Sequence, residues 1–356
     1  MRWESQTVEA EHDPRLPGFS EDVVVRRFNA PEALDTRFHE VRTKSAINRV
    51  PTPSRVPFEW TVNPYRGCSH ACVYCFARPT HEYLDLNAGR DFEKEIIVKV
   101  DVPEVLRAEL ARPSWKREHI ALGTNTDPYQ WVEGRYKLMR GIWEAMRDFA
   151  NPCSILTKSP LVLRDADLLT QIAERTQVSA CLSVPTLDEK AWRSTEPHTP
   201  NPRARLEAVA ELNRLGIPTG ILIAPLMPGI NDSRKQVERI VALATEAGAV
   251  HIGGQTLFLR GSTKDVFFEW LREHRPDLLE RYERLYARGA YLPADERRTI
   301  ELAAGAPWAR RTYAQRFRHR GGARRHMSAA EAATGLRNGR GRAGEGVRPP
   351  AQQSLF

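Results

Sequence analysis

The sequence has no run of about eighteen consecutive apolar residues, the length a membrane-spanning helix needs. Its best apolar strip, residues 221–227, breaks within a few positions. A membrane span is therefore excluded. A secretory signal is also missing: residues 1–13 are acidic and polar, with no basic segment leading into an apolar one. Cysteine is scarce, five in 356 residues, and an odd number in a long chain without a signal does not make a disulfide scaffold. These absences predict a reducing, cytoplasmic setting. No glycine-rich nucleotide loop follows the first predicted strand, and no repeat is visible beyond a β/α alternation. What is there is 41% hydrophobic and 28% charged, with 8% aromatic residues. Such a chain buries a sizeable core, which excludes wholesale disorder. The length suits one large α/β core with extensions or two average domains.

The net charge of +8 is concentrated near one end. Residues 306–348 hold eleven arginines against Glu331 and Glu345, which leaves the remainder of the chain nearly neutral. Arginines interleaved with Trp308, Tyr313 and Phe317 can lie along a phosphate backbone, pairing with phosphates and stacking on bases. A solvated tail is the alternative.

Residues 1–50 read as a polar, irregular N-terminal arm with Pro14, Pro17 and Pro31. A core over 51–291 follows, then a basic helical extension over 292–320 and a disordered Arg/Gly-rich tail over 321–356. In the core, short apolar stretches at 58–63, 95–100, 119–124, 153–157, 178–184, 221–224 and 250–258 predict strands. Amphipathic patterns at 103–112, 135–150, 164–174, 202–215 and 232–247 predict the helices between them, and two more follow at 262–273 and 276–287. Apolar strands spaced by helices mean a parallel sheet covered on its outside. Six or seven units point to a full or partial (β/α) barrel with chemistry at the strand C-terminal ends. A doubly wound sheet is the competing architecture. Polar residues gather at those ends: 124–127, 157–159, Ser183 and 225–232.

The most informative segment is Asn63-Pro-Tyr-Arg-Gly-Cys68-Ser-His-Ala-Cys72-Val-Tyr-Cys75-Phe76. Cys68, Cys72 and Cys75 can converge on one inorganic centre. A 4Fe–4S cluster takes one ligand per iron, so three cysteines leave the fourth iron for a small molecule. Cys153 and Cys181 fall in predicted strands and read as small buried residues. The competing account is a zinc knot with His70 or His81 as fourth ligand, but such knots come as C-x2-C pairs and the second pair is missing.

The C-x3-C-x2-C spacing, with Tyr74 before the last cysteine, resembles the radical S-adenosylmethionine (SAM) superfamily. The stretches NPYRGCSHACVYCFARPTHEYL, TNTDPYQ, ILTKS and APLMPGIND resemble its spore photoproduct lyase-like branch, over roughly residues 51–291. The resemblance implies a partial (β/α)6 TIM-like barrel with SAM across its mouth. It implies an enzyme whose reduced cluster breaks a C–S bond of SAM, giving a 5′-deoxyadenosyl radical that abstracts hydrogen. A reductant such as flavodoxin or ferredoxin would supply the electron. Tyr74 and Phe76 would line the adenine side, and Thr126 and Asp127 would hold the methionine amine. Lys158 would pair with the methionine carboxylate, and Ser183 would bond carboxylate or ribose.

Asn125 stands where spore photoproduct lyase carries its hydrogen-donating cysteine, and an amide cannot donate a hydrogen atom as a thiol can. Cys181 lies two residues before Ser183 and can stand near the mouth. Tyr65, Tyr129 and Tyr136 can relay a radical. Arg203, Arg205 and His198 read as an anion site or, more simply, a solvated helix face, and His81 and Glu82 as groups orienting the cysteine loop. The last residues, Gln352-Gln-Ser-Leu-Phe356, resemble the peptide that docks repair proteins on the sliding clamp. The expected function is a radical SAM enzyme whose leading substrate is nucleic acid. The alternative is a non-catalytic or electron-carrying iron–sulfur protein recruited to DNA or a partner by its tail.

Overall fold

The computed structural model describes residues 8–12, 23–28, 30, 35–51 and 56–303. The arginine stretch 306–348, the tail 321–356 and the pentapeptide Gln352 to Phe356 lie outside the described residues, as does most of the extension 292–320 beyond the helix Ala294–Ala303. The strands are β1 (Val8–His12), β2 (Val24–Phe28), β3 (Arg37–Val41), β4 (Ile47–Arg49), β5 (Trp60–Val62) and β6 (Tyr65–Arg66). They continue with β7 (Glu95–Lys99), β8 (Ile120–Leu122), β9 (Cys153–Thr157), β10 (Val178–Ser183), β11 (Thr219–Leu226) and β12 (Ile252–Thr256).

The larger sheet runs β4-β5-β8-β9-β10-β11-β12. Apart from β4, which is antiparallel to β5, every neighbour is parallel. Six consecutive parallel strands in chain order, separated by helices, make the expected partial (β/α)6 barrel. Strand register sorts the side chains into two faces. Ile120, Leu122, Cys153, Ile155, Ala180, Leu182 and Ile221 pack into the core. There they meet Ile142, Met146, Leu169, Ile172, Val209 and Ile240 of the helices Leu138–Asp148, Ala166–Arg175, Pro202–Arg214 and Arg234–Glu246. Burying each of the Ile, Leu, Val and Met side chains among these is worth about 1.5–3 kcal/mol. The alternate positions, facing inward, are mostly small: Ala121, Ser154, Ser179, Cys181, Ser183 and Gly220. The bulky branched layers that fill a closed TIM barrel are thus missing from these positions.

Local chemistry fixes the helix starts. Pro103 and Pro202 occupy first turns, where a missing N–H costs nothing. The Asn201 side chain accepts from Arg203 N at 2.8 Å. At the mouth, Gly123 has φ +80° and a Cβ there would stand 1.9 Å from the Leu156 carbonyl oxygen. Gly123→Ala is expected to cost about 3 kcal/mol from strain and displaced backbone, read as a lowered denaturation midpoint; an unchanged midpoint would contradict this packing.

The smaller sheet runs β1-β2-β3-β7-β6. Two expectations change here. Residues 95–100, expected as a barrel strand, pair in parallel with β3 and antiparallel with β6. An apolar run signals a strand buried on both faces but not which sheet it joins. The arm over 1–50, expected to be irregular, contributes β1 to β4. Its charged positions pair across strands, Arg26 with Glu40 and Arg37 with Glu95 at 2.7 Å, which made it look like surface. Among the described residues no helix is long and apolar enough to cross a membrane.

Candidate active site

The cysteine loop follows β6 and is held at nearly every turn by a different element. Gly67, at φ +83°, opens it; a Cβ would meet His81 Cε1 and the Phe92 oxygen, both at 2.9 Å. Its carbonyl accepts from Thr126 Oγ1 at 2.6 Å and Gln130 Nε2 at 3.3 Å. Cys68 N donates to the Phe92 carbonyl at 3.0 Å, Ser69 N to Gln130 Oε1 at 2.9 Å, and Val73 N to the Thr195 carbonyl at 3.1 Å. Arg78, wholly buried, donates to the carbonyls of Cys72, Ala71, Ala88 and Gly89 and pairs with Glu93. Thr263 Oγ1 donates to the Cys75 carbonyl at 3.1 Å. A loop so tied presents its side chains in fixed directions.

Cys68 and Cys72 are buried and Cys75 half-buried. Burial raises the Cys72 thiol well above its ordinary value; Lys158 opposes this, while Glu196, Cys75 and Cys68 add to it. Burial and then Cys68 raise Cys75. The three thiols therefore share one electrostatic environment. Among the described residues no three His, Cys, Asp or Glu are gathered closely enough to hold a single metal ion. In a 4Fe–4S cluster each thiolate sits on its own iron, and three buried thiols with a nearby cation fit that group. Cys153 and Cys181 are raised to about 12 by burial alone and feel none of the trio; Cys181 lies on the inward face of β10 and Cys153 on the helix-covered face of β9.

The strand-end residues divide into struts and open groups. Thr126 is a strut: beyond its bond to Gly67 it accepts from Gln130 at 3.2 Å. Asp127 is another. Its oxygens accept from Thr157 Oγ1 at 2.6 Å, Lys158 N at 2.7 Å and Tyr129 N at 2.9 Å, and pair with His70 Nδ1 at 3.4 Å. Burial would raise Asp127, but His70 and these donors hold it down at about 2. The expected ammonium acceptor is thus already bonded by three donors of the protein.

Lys158 is the open cation. Its Nζ sits 5.7 Å over the Tyr74 ring and 3.8 Å from Glu196 Oε1. That carboxylate is already taken, bonded by the Tyr74 hydroxyl and by Arg205 Nη2 at 2.6 Å. Tyr74 is buried, Phe76 is 58% exposed, and Ser183 is buried at the end of β10 with its carbonyl accepting from Arg205.

Sequence reasoning missed Glu196 and misplaced Arg205. Both are wholly buried, and Arg205 also donates to the Pro200 carbonyl and Thr199 Oγ1. It is no solvated helix face. Arg203 and His198 are both exposed, and His198 is lowered by desolvation. His81 is buried with Nε2 2.9 Å from the Glu95 carbonyl oxygen, whereas Glu82 is exposed. Tyr65, Tyr129 and Tyr136 bond Glu133, Asp165 and Glu40 respectively, outside the cysteine loop.

A family profile described as the radical SAM superfamily matches residues 62–244. An uncharacterised protein of Mycobacterium tuberculosis (strain ATCC 25618 / H37Rv) is 45% identical over 304 residues, 84% of this chain and 89% of its own. An uncharacterised protein of Methanocaldococcus jannaschii is 28% identical over 194 residues, 54% of this chain and 69% of its own. A solved spore photoproduct lyase mutant superposes with a TM-score of 0.55 at 15% identity over 86% of each chain. Another, with bound AdoMet and dinucleoside spore photoproduct, gives 0.54 at 16% identity over 78% of each. These likenesses establish a shared fold.

Proposed function

This chain belongs to the radical SAM superfamily and is an enzyme of radical chemistry, and from that premise we propose that it abstracts hydrogen from a nucleic acid in repair or modification. The observation that carries the reading is the loop of three buried thiols beside an incompletely paired cation, Lys158. Loaded with a 4Fe–4S cluster and SAM, such a site supplies one-electron cleavage of a C–S bond followed by hydrogen abstraction. The chain's own residues bind and orient. Cys68, Cys72 and Cys75 hold the cluster. Lys158, with its one neighbouring acid engaged elsewhere, takes the methionine carboxylate, and Ser183 stands at the next strand end. Tyr74 keeps Lys158 over its ring, while Thr126 and Asp127 brace the loop. Phe76, exposed beside Cys75, marks the side open to adenine or to a reductant such as flavodoxin or ferredoxin.

Nucleic acid is favoured by three things. The inward face of the strands is mostly small and carries the hydroxyls of Ser154, Ser179 and Ser183. A protein of the same fold binds a dinucleoside photoproduct. The arginines of 306–348 suit phosphates, and Gln352 to Phe356 would tether the enzyme to a sliding clamp. A plain electron carrier has no use for Lys158.

Anaerobic reconstitution with dithionite and SAM should release 5′-deoxyadenosine, and deuterated nucleic acid should pass deuterium into it. An intact cluster that never cleaves SAM would sink the enzymatic reading, and label absent from the nucleoside would remove nucleic acid. Lys158→Met is expected to weaken SAM binding about 10- to 100-fold, the loss of about 1.5–3 kcal/mol for a charged hydrogen bond. Cluster absorbance should be unchanged; unaltered affinity in a binding titration would take Lys158 out of the site.

A further inference from the structure

We infer that Arg66 and Lys99 form a binding site for a phosphate group on the face of the smaller sheet turned away from the barrel. The pairing of β6 with β7 sets Arg66 opposite Ile97 and Tyr65 opposite Val98. Alternation puts Ile97 and Lys99 on one face, so Arg66 and Lys99 are diagonal neighbours there. Tyr65, Ile96 and Val98 face the main core, whereas Ile97 belongs to a separate cluster with Val25, Val41 and Leu84.

Arg66 and Lys99 are both half-buried, and among the described residues neither side chain has a hydrogen bond or an ion pair. The acids nearby are committed. Glu95, on the same face, is bonded by Arg37 and by His39 at 2.7 Å. Asp101 accepts from Thr43 N at 2.9 Å. His81 borders Arg66, wholly buried, with its Nδ1 unpartnered. Burial and then Arg66 pull the Lys99 amine down to about 8 against the influence of Asp101. Two cations withdrawn from water side by side, with Asp101 near Lys99 but no described acid ion-paired to either, destabilise a fold. A bound phosphate anion offsets that. A guanidinium fork grips two oxygens of a phosphate, whether a free anion or a backbone diester, and the ammonium adds a second positive charge beside them. The phosphate is either a small free anion or part of a nucleic acid backbone.

The test is thermal unfolding of the full-length, cluster-loaded protein in inorganic phosphate against chloride of equal ionic strength. A parallel arm uses a single-stranded oligodeoxynucleotide without terminal phosphates. Phosphate should raise the wild-type midpoint by linkage. Lys99→Met and Arg66→Met should each weaken that response at least about tenfold. Lys99→Met alone should be more stable than wild type without phosphate, since it deletes an unpaired buried charge; this separates lost binding from lost folding. An oligonucleotide shift abolished by Lys99→Met would support the site with backbone phosphate as its ligand. A shift with inorganic phosphate alone would support it with a small anion. No wild-type response in either arm, or equal responses in wild type and Lys99→Met, would overturn it.

Discussion

Cys72→Ser is expected to abolish 5′-deoxyadenosine formation and to strip the cluster absorbance from the reconstituted protein. Changes to groups that merely orient metal ligands cost about 10- to 100-fold, and loss of a ligand should exceed that range. The loop itself should survive, because the Cys72 carbonyl is held by Arg78 at 3.0 Å and the thiol takes no part in the scaffold. Cys68→Ser and Cys75→Ser should behave alike, whereas Cys153→Ala should keep its cluster, its thiol being packed among helices. Iron and sulfide counts with anaerobic absorbance decide the matter. Retention of a full cluster by Cys72→Ser would mean that the trio does not ligate it.

Arg205→Met should lower stability by about 3–5 kcal/mol, the usual result of leaving a buried charge without its partner. Glu196 would then keep Lys158, at 3.8 Å, and the hydroxyls of Tyr74 and Thr199. Glu196→Gln should cost a similar amount by stranding Arg205. Replacing both with apolar residues should recover much of the loss, since neither charge then remains to be compensated. Denaturant midpoints of the two single variants and the double variant give the coupling energy. Single-variant losses below about 1 kcal/mol would show the pair to be incidental.

Much of the barrel was legible because its elements are locally consistent. Residues 153–157 were expected as a strand and form β9, and the helix expected over 202–215 is Pro202–Arg214. Proline at first turns and apolar residues at helical spacing carry that information. The cysteine trio was legible for another reason: its spacing is chemistry rather than packing. Ion pairs were not. A lone sequence makes Arg205 look like surface, because nothing local announces that Glu196, nine residues back, will be buried beside it. The short strands of the first fifty residues were hidden for the same reason. Asp127 was found as a strand-end acid, but three of its four partners come from the next strand end and from the cysteine loop, the fourth being Tyr129 N of its own loop. Whether a carboxylate faces a ligand or braces the frame is settled by tertiary contacts.

The pairing of β5 with β8 joins residues 60–62 to 120–122, and the intervening chain builds the cysteine loop and two of the five strands of the smaller sheet. Contact order is therefore high where the barrel begins. Bringing distant segments together adds little entropy, about 0.6 kcal/mol per doubling of the loop, but it slows the search. The first seam should close only after its excursion has condensed. Until then the edges of β5 and β8 stand unpaired, which is when a nascent chain is most exposed to aggregation and proteolysis.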